Sequence, residues 1–147
     1  MKKRLVILGA GESGIGAAIL GKKEGYEVYV SDEGTIKDNY KKELDEYGIK
    51  WEEKQALAGK IIDHGGEVVK SLGIPEKNDQ VIKIRAAGIP VISEIEWGYR
   101  FKGAAKIAGI TGSNGKTTTT SLLYHICRTG GLEAAMAGNI GYSFARQ

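Results

Sequence analysis

Two glycine-rich stretches carry residue types and spacings suited to phosphorylated ligands. The first, Gly9-Ala10-Gly11-Glu12-Ser13-Gly14, is a complete G-x-G-x-x-G. In such a loop the first glycine permits a tight turn, the second lets backbone N–H groups approach a diphosphate, and the third lets a helix pack closely on a strand. A helix beginning there presents unpaired N–H groups and partial positive charge to an anion. Asp32 lies 18 positions after Gly14, where a carboxylate can accept hydrogen bonds from a ribose or a base. Glu12 adds a carboxylate near the anion, harmless if it faces solvent and unfavourable to phosphate otherwise. NAD, FAD and UDP-sugars all carry a diphosphate and a ribose, so this motif alone leaves the nucleotide open.

The second stretch is Gly112-Ser113-Asn114-Gly115-Lys116-Thr117-Thr118. A glycine loop followed by Lys-Thr at a helix start can surround a polyphosphate with backbone N–H groups and set an ammonium on its β and γ oxygens. The Thr117 hydroxyl is then placed to meet Mg²⁺. The strict spacing G-x-x-x-x-G-K-[ST] is not met: Ile110 stands five before Gly115, and Gly109 comes one residue too early.

Both loops need a strand before them and a helix after. Lys3 to Leu8 is an aliphatic run ending at Gly9, and Ile15, Ala18, Ile19 and Lys22 then recur at helical spacing up to Gly25. Glu27 to Ser31 reads as the next strand, and Asp38 to Tyr47 as a second helix stopped at Gly48. Further strands are expected at Glu67 to Ser71 and Val91 to Ser93, with a helix at Asp79 to Ala87 between them. Lys50 to Asp63 has no clear period and stays unassigned. Alternating strands and helices imply parallel pairing, hence an α/β, doubly wound, Rossmann-like sheet over residues 1–102.

The pattern then restarts near Tyr99 to Gly103. Ala105 to Thr111 is expected as a strand, Lys116 to Thr129 as a helix and Glu133 to Ala137 as a strand, so residues 103–147 read as the beginning of a P-loop α/β domain.

Other candidates weigh less. Cys127 lies on an apolar helical stripe and reads as a core thiol, and no Cys or His cluster has metal-ligand spacing. His125 reads as a solvated residue, and Trp51, Trp97 and the tyrosines as packing. Glu94 and Glu96 stand two apart, on opposite faces of an extended chain, which argues against a carboxylate pair.

Bulk composition agrees with small-molecule binding. The 147 residues include 22 glycines, about twice the usual share of roughly 7%. A net charge of +3, with bases and acids interspersed, calls for no nucleic-acid or membrane partner. The apolar run after Lys2-Lys3-Arg4 is too short for a signal peptide, and no run approaches the ~20 residues of a membrane span, so a cytoplasmic location is expected.

Taken in order, these motifs resemble the Mur ligases of peptidoglycan synthesis. The resemblance rests on Gly9-Ala-Gly-Glu-Ser-Gly14, Ser31-Asp32, Ser93-Glu-Ile-Glu96, Thr111-Gly-Ser-Asn-Gly-Lys-Thr-Thr118 and Ala137-Gly-Asn-Ile-Gly141. The family's short T-G-x-N-G-K-T-T loop accounts for the unmet spacing, and Asn114 argues against the L-alanine-adding members, which typically carry His there. The resemblance implies an ATP- and Mg²⁺-dependent enzyme that joins D-glutamate to UDP-N-acetylmuramoyl-L-alanine. Gly11, Glu12, Ser13 and Gly14 would then hold the diphosphate, Asp32 and Glu33 the uridine, and Ser71 and Gly73 the base, while Asn139 would reach the muramyl portion. Gly112, Ser113, Asn114, Gly115, Lys116, Thr117 and Thr118 would bind ATP, with Lys116 catalytic and Thr117 on the metal. The family usually has Ser-Pro-Gly where this chain has Ser71-Leu72-Gly73, which implies a less rigid loop.

The resemblance also implies that the chain is the N-terminal portion of a longer enzyme, with the D-glutamate site and further metal ligands outside it, and that it is inactive alone. An NAD-binding module of a dehydrogenase or regulator is the alternative, against which the second loop counts. A stand-alone binding protein is a third reading.

Overall fold

The chain is described from a computed structural model, which covers residues 3–55, 59, 61 and 66–147. Its centre is a five-stranded sheet formed by β1 (Arg4–Leu8), β2 (Glu27–Asp32), β3 (Lys50–Glu53), β4 (Glu67–Lys70) and β5 (Val91–Ser93). The order is β3-β2-β1-β4-β5 and every pairing is parallel. The chain winds outward from β1 to β3, then returns to add β4 and β5 on the other side. The order therefore reverses between β1 and β4, the place where open α/β sheets bind ligands.

Strand side chains alternate between two faces. Leu5 and Ile7 of β1, Val28 and Val30 of β2, and Val69 of β4 bury against α1 (Glu12–Lys23) and α2 (Asp38–Glu46). Leu8, Val68 and Val91 turn the other way, against Val81 and Ile84 of α3 (Asp79–Ala86). Each fully buried aliphatic side chain contributes about 1.5–3 kcal/mol, so both faces matter to stability. Gly21, with Ala17 and Ala18 buried beside it, lets α1 lie close on the sheet: a Cβ on Gly21 would stand 2.4 Å from the Leu5 side chain. Trp97 of α4 (Glu94–Tyr99) completes that layer, fully buried and edge-on to Tyr26 and Phe101 at 5.1 and 5.0 Å.

Local signals start two helices. Asn78 caps α3 by accepting the N–H groups of Gln80 and Val81, and Ser93 caps α4 by accepting that of Glu96, a common way to satisfy first-turn donors. Because 94–99 is helical, Glu94 points into the protein and Glu96 to solvent, so the two carboxylates still form no pair.

Three expectations require correction. Lys50–Glu53, unassigned from sequence, forms edge strand β3. Ala105 to Thr111 and Glu133 to Ala137 form no strands; one isolated bridge, Ala137 to Tyr142, is the β pairing there. A strand needs a ladder partner, two strands alone are marginal, and no neighbouring strand among the described residues pairs with these segments. Finally, α5 (Lys116–Thr129) forms where expected but buries none of its residues, so Cys127 is half-buried on a surface helix instead of a core thiol.

Candidate functional site

The first glycine loop sits at the mouth of β1. Gly9 donates its N–H to the Ser31 carbonyl at 2.7 Å, and Ala10 donates to Asp32 Oδ2 at 2.6 Å. Asp32 Oδ1 accepts the Gly34 N–H at 2.7 Å. Asp32 thus ties the loop after β1 to the loop after β2 while keeping acceptor capacity on both oxygens. Helix α1 opens with the Ile15 N–H on the Gly11 carbonyl at 2.9 Å, and its earlier N–H groups have no intrahelical acceptor. A Cβ added to Gly14 would stand 1.8 Å from the Gly9 carbonyl oxygen, so no larger residue fits between loop and helix.

Across the crevice lies the loop after β4. Ser71 is buried and its hydroxyl meets that of Ser13 at 2.6 Å. Leu72 donates its N–H to Ser13 Oγ at 3.3 Å, a bond that proline could not make because it lacks the donor. Lys70 adds a further tie, with its Nζ 3.0 Å from the Ile74 carbonyl and 3.0 Å from Glu76. The Ser71-Leu72-Gly73 loop is therefore tied to the start of α1 through Ser13.

A depression of about 110 Å³ opens beside this crevice, lined by Leu8, Gly9, Ser31, Asp32, Glu33, Ile74, Asn78 and Gln80. Glu33 is engaged by the Gln80 amide and, at 3.5 Å, by Asn78 Nδ2. Asn78 and Gln80 escaped the sequence reading as site residues; the helix-capping pattern at Asn78 was their one available signal.

The Glu12 side chain, partly exposed, is engaged by three partners. It accepts the Arg146 Nε at 2.9 Å, the Ser143 N–H at 3.2 Å and the Tyr40 hydroxyl at 3.3 Å. Arg146 also contacts Glu43, and the hydrogen bond to Glu43 is the largest influence keeping its guanidinium protonated. The turn Phe144–Arg146 is a 3-10 helix packed on α1 and α4, where Ala145 donates its N–H to buried Glu94. Burial pushes the Glu94 carboxyl upward, partly offset by that bond. No local sequence pattern announces these contacts, since Glu12 and Arg146 stand 134 positions apart.

The second loop is built differently. Gly115 caps α5 in the left-handed region, at φ 75°, a conformation natural to glycine. Lys116 Nζ folds over the Gly112 carbonyl and lies 3.4 Å from that of Ser113. Residues 112–118 are all exposed. Asn139 is exposed in the turn closed by the Gly138 N–H on the Tyr142 carbonyl at 3.1 Å, directly before the segment that docks on Glu12. Among the described residues no three His, Cys, Asp or Glu side chains cluster to hold a metal, and no helix is long and apolar enough to cross a membrane.

Residues 110–145 match the Mur ligase middle domain. Along its length the chain is similar to UDP-N-acetylmuramoylalanine--D-glutamate ligases: 53% identical to that of Bacteroides fragilis over 99% of this chain and 32% of the relative. Identity to the Porphyromonas gingivalis protein of the same name is 46%, over 100% of this chain and 32% of the relative. Among solved structures, the UDP-N-acetylmuramate:L-alanyl-gamma-D-glutamyl-meso-diaminopimelate ligase from Neisseria meningitides superposes with a TM-score of 0.64 at 26% identity. That match covers 97% of this chain and 46% of the other. A murein peptide ligase from Psychrobacter arcticus shares the fold at the same TM-score of 0.64 and 24% identity, over 88% of this chain and 27% of that one. The chain spans about a third of the length of the curated relatives it matches. With both glycine loops in the family's order and the similarity running along nearly the whole of this chain, the chain is similar throughout to Mur ligases.

Proposed function

We propose that this chain is the nucleotide-binding part of a cytoplasmic, ATP-dependent ligase that joins D-glutamate to UDP-N-acetylmuramoyl-L-alanine in peptidoglycan synthesis. The observation that carries the reading is the crevice at the strand-order reversal, where Ser13 links the glycine loop of β1 to the loop of β4. The free N–H groups of Gly11, Glu12, Ser13 and Gly14 receive the diphosphate there. Asp32 and Glu33 line the adjoining depression and take the uridine, with Ser71 and Gly73 beside the base. Asn139 reaches the muramyl portion.

Gly112 to Thr118 suit ATP. The left-handed Gly115 leaves its surroundings open, with nothing within 4 Å of an added Cβ, and Lys116 already lies over the loop. The Thr117 hydroxyl would hold Mg²⁺, whose chemistry is to neutralise charge on the transferring phosphate. With no acidic cluster at hand among the described residues, Thr117 supplies this chain's share of that site. Lys116 binds and neutralises phosphate oxygens as catalytic cation. ATP activates the substrate carboxylate, whose oxyanion is otherwise a poor leaving group, before the D-glutamate amine attacks. No nucleic acid or membrane takes part.

Titration by thermal shift and calorimetry tests the reading. UDP and UDP-N-acetylmuramoyl-L-alanine should stabilise the chain at concentrations where NADH does not. Stabilisation by micromolar NADH alone would replace this reading with a dehydrogenase-type module.

A further inference from the structure

A carboxylate at the start of an anion-binding helix poses an electrostatic problem. Glu12 is the first residue of α1, so its negative charge is carried within one side-chain length of the N–H groups that face the proposed diphosphate. Left alone, it would repel that ligand across a short distance, where screening by salt is weakest. The chain meets this from far along its sequence. Arg146 sets its Nε 2.9 Å and its Nη2 3.5 Å from the two Glu12 oxygens, its Nη1 and Nη2 also meet Glu43, and its guanidinium lies over the Tyr142 ring at 5.9 Å. The Arg146 side chain is 19% exposed and that of Glu12 33%, so the pair is partly shielded from solvent. Its geometry is fixed on the Arg146 side by docked backbone: Ser143 donates to Glu12 and Ala145 to Glu94. Gly16 of α1 leaves room for the turn, because a Cβ there would sit 2.1 Å from Ser143 Oγ.

We propose that Arg146 is a positioning residue for the diphosphate, acting through Glu12: it draws the Glu12 carboxylate away from the helix N-terminus and neutralises it, so that the anion can bind. The proposal rests on the diphosphate reading of the first glycine loop. It makes anion affinity at residues 11–14 depend on a side chain contributed by the far end of the chain, and it couples the Asn139 turn, which directly precedes Ser143, to the same event.

The test compares UDP with uridine, which lacks the phosphates, in calorimetric and NMR titrations of the full chain. Arg146→Met should weaken UDP binding about tenfold, the scale of one unscreened charge at close range, and leave uridine binding within about twofold. The double variant Glu12→Gln/Arg146→Met should recover UDP affinity, and Arg146→Lys should retain most of it. Equal losses for UDP and uridine, or no recovery in the double variant, would show a merely structural role and overturn the proposal. Melting curves accompany each variant. Should Arg146→Met not fold, Arg146→Gln, alone and with Glu12→Gln, takes its place with the same expected and overturning outcomes. An unaltered chain that binds no UDP sinks the nucleotide reading and this inference together, whereas UDP binding indifferent to Arg146 sinks the inference alone.

Discussion

At the scale of single residues, Asp32 does more than its position at the end of β2 implies. A carboxylate 18 positions beyond the glycine loop was legible as a ribose or base acceptor. That it also accepts the Ala10 and Gly34 N–H groups was not, because those bonds depend on how two loops meet. Both roles point the same way. Asp32→Ala should weaken UDP binding by about 1–3 kcal/mol, the range for a lost hydrogen bond to a charged group plus a loosened loop. Calorimetry that finds the same affinity would remove Asp32 from the site. Leu72 carries a related lesson, since its N–H, which a proline would lack, bonds Ser13 Oγ.

At the scale of elements, the strands and helices from β1 to β5, β3 apart, were readable because apolar periodicity and stop signals agree with one another, as at Gly25, Gly48 and Gly88, whereas the helix at Glu94–Tyr99 was not. β3 was not, since Lys-Trp-Glu-Glu has little apolar content and becomes a strand through its pairing to β2. The opposite failure occurred at 105–111 and 133–137, whose local pattern suits a strand but finds no ladder partner among the described residues. The docking of 143–146 on α1 and α4 was invisible for want of any local signal. Glu94 makes that docking titratable. Burial raises its folded-state pKa above the ordinary 4.5, so the folded chain holds this proton more tightly than the unfolded one. Its stabilising contribution is complete below the ordinary value and fades as pH rises through the raised one. Glu53 and Glu76 are shifted downward instead, by hydrogen bonds from the Ile36 N–H and from Lys70 respectively, so their contributions are lost at more acidic pH, below the ordinary 4.5. As pH rises above the ordinary 4.5, therefore, the unaltered chain should lose thermal stability relative to Glu94→Gln, which cannot titrate. Parallel melting-temperature profiles for the two proteins across that range would contradict the assignment.

At the scale of the whole molecule, the chain divides by how much it buries. Residues 4–99, with Ala145, supply the two-faced core, whereas α5 buries nothing, and Leu122 and Ile126 are each 57% exposed. Stability within a protein follows such local burial, and elements with few buried contacts open at small free-energy cost. Amide exchange should accordingly be slowest in β1, β2 and β4 and fast through α5, despite its complete helical bonding. The same imbalance bears on chemistry. A phosphate cradle contributes to rate by holding reacting groups in a fixed arrangement, which carries an advantage worth about 7–11 kcal/mol when complete. Here the loop at 112–118 is exposed throughout, and no acidic cluster stands near Thr117 among the described residues. We therefore expect this chain by itself, given Mg-ATP, UDP-N-acetylmuramoyl-L-alanine and D-glutamate, to release phosphate at the background rate and to form no amide. Lys116→Ala should then be indistinguishable from the unaltered chain in that assay. Turnover that Lys116→Ala abolishes, or α5 amides as protected as those of β1, would show that residues 103–142 are held far more firmly than their burial indicates.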